Sequence, residues 1–281
     1  MIHVNHLYFS YNKRPFIEGT SFDVESGEIF GFLGPSGAGK STLQKVLTGL
    51  LTNYKGTVLI NGEEAGHHSE SFYEHIGVDF EFPSLYEKLT ARENLRFFAS
   101  LYRRHRDIDT LLKSVGLLSD ADKKVSDFSK GMKSRLNFIK ALLQDPQILF
   151  LDEPTSGLDP SNARVMKDLI LEEKSRGKTI ILTTHNMYDA TELCDRVAFI
   201  VDGKIRALDT PRGLIMRRGA SRIAYTYSEN GRELRAEVPL AKTSEDKTLN
   251  KLIRDNRLLS IHSEEPTLND IFVELTGRQL Q

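Results

Sequence analysis

Gly34-Pro35-Ser36-Gly37-Ala38-Gly39-Lys40-Ser41 has the residue types and spacing of a phosphate-holding loop, G-x-x-x-x-G-K-[S/T]. Glycines in such a loop let successive backbone N–H groups turn inward around phosphate oxygens, and the following helix adds the partial positive charge of its N-terminus. The flanking sequence supplies that context: an apolar strand over 29–33, then a helical run over 40–50 with Leu43, Val46, Leu47 and Leu50 recurring on one face. In this arrangement Lys40 reaches the β- and γ-phosphates, Ser41 ligates Mg²⁺ and Thr42 touches the α-phosphate. A Gly-rich turn with no ligand is the plain alternative, and the strand before it and helix after it argue against that.

The second chemical signal is Ile148-Leu149-Phe150-Leu151-Asp152-Glu153. Four apolar residues deliver two carboxylates to the C-terminal edge of a sheet, the edge where α/β proteins bind ligands. Asp152 is placed to hold Mg²⁺ through water, and Glu153 to polarise an attacking water. Adjacent acids after a strand also occur as a merely solvated strand end. The phosphate loop in the same chain favours the chemical reading.

Asp152-Glu153-Pro154-Thr155-Ser156-Gly157-Leu158-Asp159-Pro160 resembles the second Walker motif and D-loop of ABC transporter ATPases. His185, in Thr183-Thr184-His185-Asn186, matches that family's switch histidine, which reads the γ-phosphate. The resemblance covers residues 1–215 and implies an ATPase using ATP and Mg²⁺. It makes Tyr11 the aromatic that stacks on adenine, against the alternative of an ordinary surface or hairpin aromatic. Two positions depart from the family pattern. Glu81 stands where a glutamine is expected, as a metal ligand that adds negative charge near the γ-phosphate. The signature motif reads Phe128-Ser129-Lys130-Gly131-Met132, keeping Ser129 and Gly131 at the start of a helix running to 143. Lys130 either donates to phosphate or points to solvent.

In the family, the signature of one protomer closes over the phosphate loop of the other. The resemblance therefore implies a head-to-tail, ATP-dependent homodimer in which Ser129, Lys130, Gly131 and Asp159 complete the partner's site. The tail Glu265-Pro266-Thr267-Leu268-Asn269-Asp270-Ile271-Phe272-Val273-Glu274-Leu275-Thr276-Gly277 is similar to the ending of ATPases serving ABC-2 type exporters. That implies a motor subunit working through a separate transmembrane permease, peripheral on the cytoplasmic face of the cell membrane. An ATPase of the same superfamily acting on ribosomes or DNA is the alternative. Such relatives usually carry two cassettes or long coiled coils, neither of which occurs here. The residues Phe82, Leu85, Tyr86, Phe97 and Phe98 either receive the permease or form the core of the helical segment, and each taken singly reads as core.

These groups need a mainly parallel sheet to hold them. The apolar runs 148–151, 179–182 and 197–201 alternate with helical stretches, as a sheet covered on both faces requires. The fold expected is α/β, a P-loop NTPase core with a mainly parallel sheet. An N-terminal antiparallel β-subdomain precedes it, a helical subdomain over 84–143 is inserted, and a small C-terminal α+β appendix follows. The domain boundary falls at 218/219, after which 221–240 alternates apolar and polar residues around Asn230-Gly231, a hairpin signal. Helices over 249–257 and 268–275 complete the appendix.

The 281 residues are 39% hydrophobic and 27% charged with a net charge of −1, ordinary values for a soluble globular protein. A balance so near neutral gives no reason to expect a nucleic-acid partner. The single cysteine, Cys194, fits a reducing compartment and reads as a buried apolar residue near a helix end. No apolar run reaches membrane-spanning length, and the first residues lack a signal-peptide pattern, so a cytoplasmic protein is expected.

Overall fold

The computed structural model describes residues 1–12, 15–69, 71–80, 84–218, 222–229 and 231–277. The chain forms two compact units, the first Met1–Leu208 and the second beginning at Asp209.

The first unit opens with β1 (Ile2–Phe9), β2 (Ile17–Val24) and β3 (Ile29–Leu33), followed by α1 (Lys40–Leu47). Next come β4 (Tyr54–Ile60), β5 (Glu63–Glu64), the short α2 (Phe72–His75) and β6 (Ile76–Asp79). The segment expected to be helical contains α3 (Ala91–Ala99), α4 (Ile108–Ser114) and α5 (Lys130–Lys140). It breaks into three because Thr90, Asp107 and Ser129 each adopt extended backbone and cap the helix that follows. Then β7 (Ile148–Asp152), α6 (Pro160–Ser175), β8 (Thr179–Thr184), α7 (Met187–Leu193), β9 (Arg196–Val201) and β10 (Lys204–Asp209) alternate.

Two sheets result. An antiparallel one has the order β2-β1-β4-β5, and a six-stranded one has the order β10-β9-β3-β8-β7-β6. In the latter, β3 runs parallel to β8 and β9, while β7 runs parallel to β6 and β8. Every residue of β3, β7 and β8 is buried, the reason their sequences are continuous apolar or threonine runs. The hairpin from β4 to β5 turns at Asn61 and Gly62 with φ of 53° and 82°, the left-handed pair a two-residue turn demands. Phe22 of the antiparallel sheet packs edge-on to Phe32 of the parallel one, 5.1 Å between centroids, within a core that also takes Leu43, Val46 and Leu47 of α1. Helix α1 stops at Leu47, three residues before the expected end, because the Thr48 hydroxyl bonds the Gln44 carbonyl and Gly49 turns left-handed at φ 71°.

The second unit contains α8 (Pro211–Arg218), β11 (Arg222–Glu229), β12 (Arg232–Pro239), α9 (Lys247–Arg254), β13 (Leu258–Glu264) and α10 (Leu268–Thr276). Its antiparallel sheet has the order β12-β11-β13. Tyr225 and Val238 of that sheet bury Leu249 and Leu252 of α9. Helix α8 packs on α10 and so groups with the later elements. On α10, Leu268, Ile271 and Phe272 are buried, whereas Leu275, expected on the same face, is 40% exposed.

Candidate nucleotide site

Three adjacent parallel strands end at one edge of the six-stranded sheet, and each carries its chemistry just past its last residue. The phosphate loop follows β3, Asp152 and Glu153 close β7, and His185 follows β8. A Cβ placed on Gly34 would lie 2.2 Å from the Ile200 carbonyl oxygen, so only glycine lets the loop leave β3 alongside β9. Gly37 and Gly39 turn with φ of 78° and 109°, and Ala38 N–H closes the bend on the Pro35 carbonyl at 3.1 Å. Pro35 and Ser36 complete the loop between β3 and α1.

Lys40 is 7% exposed, and its ammonium donates to the Gly34 carbonyl at 2.7 Å and the Pro35 carbonyl at 3.2 Å. It also lies 3.9 Å from a Glu153 carboxylate oxygen. Ser41 Oγ donates to Asp152 Oδ1 at 3.4 Å, and the Thr183 hydroxyl donates to that same oxygen. The Thr184 hydroxyl donates to Glu153 Oε2 at 3.1 Å, and His185 Nδ1 stands 2.8 Å from Glu153 Oε1. Glu153 itself has left-handed backbone, φ 52°, with its N–H donating to the Thr183 carbonyl at 2.9 Å. The two neighbouring carboxylates thus face apart, Asp152 toward Ser41 and Glu153 toward Lys40 and His185. Hard oxygen donors gather around Asp152, a set that suits a small divalent cation, while a nitrogen base gathers with Glu153.

Tyr11 OH and Thr42 Oγ1 are 2.9 Å apart, which tethers the tyrosine ring beside the first turn of α1. The ring is 54% exposed and packs edge-on against Phe9 at 4.9 Å and Phe16 at 5.5 Å. Glu81, expected as a metal ligand, and Phe82 lie outside the described residues.

The signature and D-loop residues form a second group. Ser129 caps α5, its hydroxyl accepting from Met132 N–H at 3.2 Å. Asp159 caps α6, accepting from the N–H groups of Ser161 and Asn162 at 3.1 Å each. Lys130 is exposed, with its ammonium lying close to the D-loop. A Cβ on Gly157 would sit 2.0 Å from its ammonium, so the side chain lies across the D-loop. Gly131 is buried against Asn162.

The ABC transporter family model matches residues 17–156. The fluoroquinolones export ATP-binding protein of Mycobacterium tuberculosis is 50% identical over 284 residues, covering 100% of this chain and 94% of that one. The chain belongs to the ABC transporter family. The Nod factor export ATP-binding protein I of Rhizobium sp. (strain N33) is 36% identical, covering 97% of this chain and 95% of that one. A solved ATP-binding subunit of an ABC transporter superposes with a TM-score of 0.71 at 30% identity, covering 78% of this chain and 93% of that one. This ABC ATPase therefore binds and hydrolyses ATP, on a mixed α/β fold with a mainly parallel sheet.

Several residues of this neighbourhood carry weak signals in sequence. Thr183 and Thr184 read as the tail of an apolar strand, yet their hydroxyls orient both carboxylates. Asp79 closes β6 only 5% exposed and accepts from Asn137 Nδ2 of α5, and burial pushes its carboxyl up to about 7. A nearby Lys140 charge opposes that rise and the Asp152 charge adds to it. An acid at the end of the three-residue stretch Ile76-Gly77-Val78 is the one available hint. Cys194 is buried at the end of α7, where burial pushes its thiol far up, in keeping with a structural role.

Proposed function

We propose that this ATPase is the motor subunit of a membrane exporter, coupling ATP binding, dimer closure and hydrolysis to transport through a separate transmembrane permease. The observation that carries the hydrolytic part is the division between the two carboxylates at the end of β7. Asp152 and Ser41 supply oxygen donors fitted to Mg²⁺, which when bound neutralises phosphate charge. Glu153, held between Lys40, Thr184 and His185, is placed to orient and deprotonate the attacking water. Lys40 exchanges its loop carbonyls for β- and γ-phosphate oxygens, Thr42 contacts the α-phosphate, and Tyr11 stacks on adenine. His185, 2.8 Å from Glu153 Oε1, reads the γ-phosphate.

Ser129, Lys130 and Asp159 are exposed and Gly131 is buried beside them in sequence, which supports a site completed head-to-tail by a second copy. The export direction is supported by the names of the mycobacterial and rhizobial relatives, both export ATP-binding proteins. A surface fitted to a permease is supported by Tyr86 and Phe97. They are 50% and 44% exposed and pack edge-on at 5.0 Å, although each singly reads as core in the sequence. No helix among the described residues is long and apolar enough to cross a membrane, in keeping with attachment through the permease at the cytoplasmic face. Purification of the tagged chain from detergent-solubilised membranes tests this reading. A multi-span membrane protein in stoichiometric amount, lost on replacing Tyr86 and Phe97 by Asp, is expected. Ribosomes or DNA as the retained partner would overturn it.

A further inference from the structure

The D-loop that leads away from Glu153 is flanked on two sides, bonded from α7 and overlain by a lysine of α5. From α7, Asp189, 7% exposed, accepts a 2.6 Å hydrogen bond from the Thr155 hydroxyl. The Lys167 ammonium of α6 lies 3.3 Å from the other Asp189 oxygen and fixes the carboxylate. Asp189 stands four residues after His185, and its N–H donates to Asn186 Oδ1, the cap of that helix. From α5, the Lys130 ammonium lies across Gly157, where any Cβ would come within 2.0 Å of it. Gly157 is left-handed at φ 65°, a conformation that favours glycine, and the Lys130 ammonium lies in the space above it. Between these two points the loop is short and internally bonded. Ser156 N–H donates to the Glu153 carbonyl at 3.0 Å, and Leu158 N–H donates to the Thr155 carbonyl at 3.2 Å.

Glu153 cannot choose its direction independently of this loop. Its backbone is itself left-handed, a conformation that persists in a non-glycine residue only where the surroundings over-determine it. Its carboxylate is shared among Lys40, Thr184 and His185, so a small shift of the loop changes which of them it faces.

We propose that Lys130 and Asp189 are positioning residues for hydrolysis, clamping the loop 153–159 so that Glu153 is aimed at the attacking water. The signature lysine then acts through its own chain's D-loop, and not as a phosphate ligand. Because Lys130 belongs to α5 and Asp189 to α7, the clamp also ties the signature helix to the helix behind His185 within one protomer. The inference rests on Glu153 being the general base.

Steady-state ATP hydrolysis by the full chain tests it, with kcat and KM measured for Lys130→Ala, Lys130→Arg, Asp189→Asn, Asp189→Glu and Glu153→Gln. Lys130→Ala and Asp189→Asn are each expected to lower kcat by roughly 10-fold or more while KM for ATP stays within about 2-fold. Lys130→Arg and Asp189→Glu, which keep the charge, are expected to recover part of the lost kcat. Rates are scaled to the folded fraction read by thermal melting, so an effect confined to folding would leave kcat at the wild-type value and overturn the proposal. A Lys130→Ala variant with normal kcat and a raised KM would also overturn it, making Lys130 a phosphate ligand. Glu153→Gln separates the two levels. If it keeps wild-type turnover, the general-base assignment fails. If it is inactive while Lys130→Ala and Asp189→Asn match wild type, the clamp alone fails.

Discussion

Asp152 and Glu153 are neighbours in sequence with opposite partners, because the strand ends between them and Glu153 turns left-handed. A third carboxyl, Asp79, lies deeper, and the same sheet edge shows how burial tunes a group in this region. Its folded-state value near 7 exceeds the ordinary 3.8, so the folded protein holds this proton more tightly than the unfolded chain does. Stability from that proton is present below the unfolded value and is lost as pH rises through about 7. The groups facing it are Asn137 and Lys140 of α5 and Asp152 of β7. Asp79→Asn cannot titrate. Urea unfolding at pH 5 and pH 8 is therefore expected to show wild type losing stability relative to the variant as pH rises. Parallel pH profiles for the two proteins would contradict this.

At the scale of elements, local caps set where the helices begin. On α10 the Thr267 hydroxyl accepts from Asp270 N–H at 3.2 Å while an Asp270 carboxylate oxygen accepts from Thr267 N–H at 2.8 Å. Thr267→Ala removes half of this reciprocal pair and is expected to destabilise the second unit by about 1 kcal/mol in denaturant unfolding. No change in the midpoint would mean the cap contributes nothing. The same scale shows what the sequence makes legible. The strands β3, β7 and β8 are readable because burial on both faces demands unbroken apolar runs, and the loop after β3 because Gly34 meets a backbone carbonyl closely and Gly37 and Gly39 turn left-handed. Strands β10 and β13 pass unread, since neither contains a fully buried residue among those described and neither alternates with a clean apolar face. Asp189 and Asn137 sit on ordinary helical patterns. Their roles come from partners 34 and 58 residues away in sequence, a separation that local periodicity does not encode. Tyr86 and Phe97 mislead for the reverse reason, as apolar periodicity cannot tell a face turned to the core from one left open to a partner.

At the scale of the molecule, the proposed function makes the phosphate loop half of a site. The loop, Asp152, Glu153 and His185 share one sheet edge, whereas Ser129 and Asp159 are exposed to solvent at the starts of α5 and α6. The proposed dimer accounts for this division, a second copy bringing its own exposed group over this copy's nucleotide with ATP forming part of the contact. Glu153→Gln, expected to retain ATP without hydrolysing it, should hold that state long enough to weigh. Light scattering of Glu153→Gln with and without MgATP therefore tests the account most directly. A mass of two chains with MgATP and one without is the predicted result, and a single-chain mass with ATP demonstrably bound would contradict it.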